Sequence, residues 1–130
     1  MSYASEREVI EGRFTTQWGS TTPIAYDNMP FTPPANDSWV SISIMDGAGH
    51  IAGFGNSPLY RYDGVIQIDI YVVKDTGTAT ARALCDQAIA VFKPYTASGY
   101  RFMVPYAEHI GEWRGWVRWT VSVPFKRDET

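Results

Sequence analysis

The side chains able to do chemistry are few and scattered. His50 and His109 are the two histidines and Cys85 the single cysteine. A zinc site needs three or four nitrogen, sulfur or carboxylate ligands at set spacing, and neither histidine has such companions nearby. Cys85 falls on a stripe with Ala81, Leu84, Ala88, Ile89 and Phe92 at three- and four-residue spacing, where a thiol acts as a small hydrophobe. Gly47-Ala48-Gly49-His50-Ile51-Ala52 has the Gly-X-Gly of a nucleotide loop. It lacks the third glycine and a following Lys-Ser or Lys-Thr, and the next pattern is a strand rather than a phosphate-holding helix. Asp69 lies between Gln67 and Tyr71 on the polar side of an alternating segment, the place of a ladder or interface residue. Ile10-Glu11-Gly12-Arg13 matches a protease site used in expression work, but it sits inside a helical pattern and is read as native. No catalytic, cofactor-binding or metal-binding residue is assigned.

The elements that position these groups follow from periodicity. Ser5 and Glu8 have capping-box spacing, and Val9, Ile10, Phe14 and Trp18 predict an amphipathic helix over residues 4–18. Pro23 to Asp27 predicts a short extended segment, followed by a stretch with Pro30, Pro33 and Pro34 that excludes helix and central strand. Residues 38–45 alternate, with Val40, Ile42 and Ile44 on one face. Residues 46–57 carry glycines at 47, 49, 53 and 55 and read as a mobile loop or a long hairpin tip. Residues 60–73 alternate again, with Ile66, Ile68, Ile70 and Val72 inward. Thr76 or Thr78 caps a second helix to about Phe92, with Pro94 as a stop. Residues 100–105 predict a strand. Residues 112–125 predict another, with Trp113, Gly115, Val117, Trp119, Val121 and Val123 on one side and Arg114, Trp116, Arg118, Thr120 and Ser122 on the other. The charged tail after Phe125 reads as frayed.

This order predicts an α+β fold: one domain over residues 1–130, a mostly antiparallel sheet, and two α-helices packed on one face. The expected core is Val40, Ile42, Ile44, Ile66, Ile68, Ile70, Val117, Trp119 and Val121 against Phe14, Leu84, Cys85 and Ala88. Opposite the aliphatic rows fall Trp39, Gln67, Asp69, Tyr71, Arg114, Trp116 and Arg118. A sheet face rich in Trp, Tyr and Arg is the composition of a protein contact, so these seven are the assembly-interface candidates.

Composition supports the same reading. The chain is 45% hydrophobic and 19% charged, the range of an ordinary folded domain, and 15% aromatic, which favours a partner surface. A net charge of −3 with no basic run argues against gripping nucleic acid. One cysteine excludes an internal disulfide, and no apolar run approaches the roughly 20 residues of a membrane helix. With a polar first segment, Met1-Ser2-Tyr3-Ala4-Ser5-Glu6-Arg7, the expected product is soluble and cytosolic.

Several stretches, taken together, resemble one family. Pro23-Ile24-Ala25-Tyr26-Asp27-Asn28-Met29-Pro30-Phe31-Thr32-Pro33-Pro34 is similar to the start of the phage tail terminator-like family, with Trp39-Val40 at its next strand. Tyr62-Asp63-Gly64-Val65-Ile66-Gln67-Ile68-Asp69-Ile70-Tyr71 resembles its long strand, Asp75-Thr76-Gly77-Thr78 and Ala83-Leu84-Cys85-Asp86 its helix start, and Val121-Ser122-Val123-Pro124-Phe125 its ending. The resemblance implies a non-enzymatic virion subunit. It would form a homo-oligomeric ring, typically a hexamer, at the head-proximal end of the tail tube, stop tube growth and meet a head-completion or connector protein. DNA would pass through the bore without specific binding, which suits an acidic chain. Another neck-region ring protein, for head closure or a minor tail role, is the nearest alternative. A small ligand-binding or enzymatic α+β domain would need convergent polar groups that the sequence does not offer.

Overall fold

A computed structural model describes residues 2–56 and 58–129. In chain order the elements are α1 (Tyr3–Trp18), β1 (Ile24–Tyr26), β2 (Trp39–Gly53), β3 (Leu59–Val73), α2 (Ala79–Phe92), β4 (Tyr100–Phe102), β5 (Tyr106–Trp113) and β6 (Trp116–Glu129). The strands form one sheet in the order β1-β2-β3-β6-β4, with β5 also paired to β6 beyond the reach of β4. All pairings are antiparallel except β1 with β2. The fold is α+β, as the element order predicts.

The expected register holds. Val40, Ile70 and Trp119 stand in one cross-strand row, and Ile42, Ile68 and Val121 in the next. Both rows face Ile10, Phe14 and Trp18 of α1 and Leu84, Cys85, Ala88 and Phe92 of α2. Ile44 and Val117 pack at the margin of this core and are only half-buried. A one-residue slip would have turned the isoleucines outward, so the aliphatic alternation fixes which face carries the helices.

Three expectations need correction, and one pair of alternatives resolves. The capping box of α1 is made by Ser2 and Ser5, not Ser5 and Glu8: the Ser5 N–H donates to Ser2 Oγ at 3.2 Å and the Ser2 N–H to Ser5 Oγ at 2.7 Å. Residues 46–53 of the glycine-rich segment are strand, extending the β2–β3 ladder from Asp46↔Gly64 to Gly53↔Leu59 with two register shifts. Of the two readings offered for this segment, a long hairpin is the one that forms.

The strand expected over residues 112–125 is broken by a hairpin turn. Arg114 (φ 49°) and Gly115 (φ 85°) both have positive φ, the backbone of a tight turn matched to strand twist. Trp113 therefore pairs with Trp116 and shares its face, leaving the core row, and Arg114 leaves the sheet face for the turn. Finally, the charged tail is not frayed. β6 continues to Glu129, pairing with Tyr60, and Arg127 is 1% exposed.

Candidate assembly surface

The sheet face away from the helices is built in bands. At one end Trp39 and Tyr71, cross-strand partners, stack with ring centres 4.0 Å apart and planes 9° from parallel. Trp116 meets Trp39 edge-on at 6.1 Å, Trp113 leans on Tyr71 at 5.3 Å, and Phe31 from the proline-rich segment covers Trp39 at 5.1 Å. Such aromatic pairs add about 0.5–1.5 kcal/mol each beyond the area they bury.

Two of the seven candidates are thereby enclosed within their own subunit. Trp39 is 5% and Tyr71 6% exposed, and enclosure raises the Tyr71 phenol above its ordinary value. They act as the floor of the cluster. Trp116 is half-buried and Trp113, not among the candidates, is 38% exposed. Trp113 went unrecognised because the turn reversing its face has no hydrophobic signature; the signal that could have found it is the Arg114-Gly115 pair, compatible with a two-residue hairpin loop.

Next comes a polar band. Asp69 accepts from Thr120 Oγ1 at 2.7 Å and from Gln67 Nε2 at 3.1 Å, and Arg118 Nε lies 3.8 Å from the same carboxylate. Three candidates, Gln67, Asp69 and Arg118, thus form one connected group across β3 and β6. This explains a carboxylate on a sheet without invoking chemistry. Arg114 stands apart, its guanidinium 5.0 Å from the Trp113 ring centre.

Beyond it Met45, Val65 and Pro124 stand in one cross-strand row, and Met103 closes the side of an open groove of about 300 Å³. The far end is charged. Lys126 Nζ donates to Asp63 at 2.6 Å, and Arg61 forks onto Asp128 at 2.6 and 3.0 Å. These bonds hold both aspartates below the ordinary carboxylate value. The β2–β3 hairpin continues past this band as an arm with Ile51 51%, Tyr60 38% and Phe54 89% exposed. On the opposite flank β5 is an edge strand, with Tyr106 and Ile110 each 49% exposed.

Among the described residues no three His, Cys, Asp or Glu side chains converge as metal ligands, and His50 and His109 lie on different strands at opposite flanks of the sheet. Cys85 is buried in the core and its thiol is pushed up to about 11 by enclosure. Among the described residues no helix is long and apolar enough to cross a membrane.

Comparisons with known proteins follow the fold. No curated protein matches the chain. One solved structure, of a protein without a descriptive name, is similar at 18% identity with a TM-score of 0.65, covering 93% of this chain and 94% of that one. At that identity the likeness supports the fold alone. The family described as phage tail terminator protein matches residues 7–125, nearly the whole chain. The chain belongs to the phage tail terminator protein family and so to the structural components of phage tails.

Proposed function

We propose that this subunit closes into a homo-oligomeric ring, a hexamer, that caps the head-proximal end of the tail tube. The ring stops tube polymerisation and offers its second face to a head-completion or connector protein in the neck of the virion. The observation that carries this reading is the family match over residues 7–125. Its physical support is a subunit that exposes Trp113 beside the sheet-face cluster, Tyr106 and Ile110 on an edge strand, and Ile51 and Phe54 on an arm, places where a neighbour can bury them.

A ring requires a lateral contact between two different patches that closes by rotation, and a bore that lets DNA slide. The acidic balance serves the second need, since neutralising phosphates takes clustered Lys and Arg. Trp116 and Arg118 are the candidates best placed to touch a neighbour, standing half-buried above Trp39, Tyr71 and Asp69.

The test combines native mass measurement with electron micrographs of the purified protein and of tails assembled with and without it. Rings at tube ends and tails of regulated length are expected. Tubes that stop at normal length without this protein would overturn the reading.

A further inference from the structure

Phe54 is 89% exposed at the tip of the β2–β3 arm, the most exposed of the large hydrophobic side chains among the described residues. Its own subunit offers it no seat. The apolar groove of Met45, Val65, Pro124 and Met103 lies at the base of the same arm, nine residues back along the strand. That is roughly 25 Å of paired ladder, too stiff to fold back on itself. β6 flanks β3 only as far as Tyr60↔Glu129, so the tip that carries Phe54 stands past the end of its own sheet partner.

We propose that the Phe54 side chain of one subunit seats in the Met45–Met103 groove of a second copy of this chain. The contact rests on the ring reading above and specifies its lateral joint. Three observations support it. The groove is open, of about 300 Å³, and floored by apolar side chains, with Met45 49% and Met103 38% exposed. Methionines adapt their shape to an aromatic ring and make favourable sulfur contacts with it. Its rim carries the Asp63–Lys126 ion pair, so one wall is already neutralised and does not repel an apolar guest. Knob and groove are different patches of one chain, and this makes the contact heterologous, the kind that propagates around a ring.

The test uses the full chain with Phe54→Asp and Met103→Asp, each checked for an unchanged unfolding midpoint, with native mass as the readout. Each variant alone should need at least tenfold more protein to assemble. An equimolar mixture retains one intact knob and one intact groove per pair, so dimers should appear and stop there. A second measurement oxidises a mixture of Phe54→Cys and Met103→Cys subunits, expecting a 54–103 cross-link. Rings that form normally in either aspartate variant, or that form without the cross-link, overturn this contact and leave the ring reading standing. A wild type that halts at dimers would mean reciprocal exchange of arms and would overturn the head-to-tail arrangement. A wild type that neither oligomerises nor caps tubes removes both.

Discussion

Arg127, near the end of β6, donates its Nε–H to the carboxylate of Glu6, in the first turn of α1, at 3.1 Å. The two side chains are 1% and 3% exposed, and the guanidinium packs against the rings of both Tyr3 and Tyr62, 4.8 and 4.6 Å from their centres. This pair ties the start of α1 to the arm end of the sheet. Without Arg127 the enclosed Glu6 carboxyl loses its guanidinium donor, so Arg127→Met should destabilise the subunit by about 1–3 kcal/mol. The double variant with Glu6→Gln should lose less than the sum of the singles, which denaturant titrations of all three would show.

Stability should depend on pH through Glu6. Its carboxyl is pushed up from 4.5 to about 7, first by enclosure and then by the hydrogen bond and charge of Asp46, with Arg127 pulling the other way. The folded state therefore keeps a proton that the unfolded chain releases near 4.5. That contribution is whole below pH 4.5, falls as pH rises, and is gone above about 7. Asp63 and Asp128, shifted down from 3.8, act in the opposite direction and only below that value. Thermal unfolding between pH 4.5 and 7 should show a midpoint falling with pH in wild type and a flatter profile in Glu6→Gln.

The aromatic cluster should divide by depth. Trp39→Ala removes an enclosed ring and should cost about 3–5 kcal/mol of stability. Trp116→Ala, at a half-buried position, should leave folding largely intact while tail capping weakens, by about 2 kcal/mol or more per contact. Chemical denaturation beside a tail-length assay separates the two. Normal tail lengths with a fully folded Trp116→Ala protein would show that this face is not an assembly surface.

Gly64→Ala should be costly although glycine-to-alanine changes in strands often help. A Cβ there would stand 2.6 Å from the Phe125 ring and 3.3 Å from the Met45 carbonyl oxygen. Phe125 is 2% exposed and cannot swing away, so about 1–3 kcal/mol of overpacking is expected. A urea midpoint no lower than wild type would show that the two strands can separate there.

Cys85 should be inert in the native protein. Its thiol is 3% exposed and held near 11, so thiolate is scarce at neutral pH. A disulfide reagent should label it only at the rate of unfolding, and rapid native labelling would place it outside the core.

Much of the fold was legible because isoleucine and valine alternate strictly in β2 and β3, and Ala81 to Phe92 repeat at helical spacing. Reading failed wherever the decisive contact was polar or the pattern was diluted. Glycines at 47, 49 and 53 hid the strand continuing past Asp46. The Arg114-Gly115 turn puts Trp113 on the face of Trp116, a reversal that the apparent alternation over residues 112–125 concealed. Arg127 looked like tail charge because its partner, Glu6, is 121 residues away in sequence. Of the candidate surface, the residue types were legible and their depth was not. Enclosure of Trp39 depends on Phe31, Tyr71 and Trp116, three separate segments of the chain.

Strand β6 lies between β3 on one flank and β4 and β5 on the other, yet it follows all of them in chain order. Until a ribosome has made it, β3 has an open flank and the isoleucine row facing the helices lacks a third of its sheet. The nascent chain thus cannot offer a finished edge or the Pro124 side of the apolar groove to another copy.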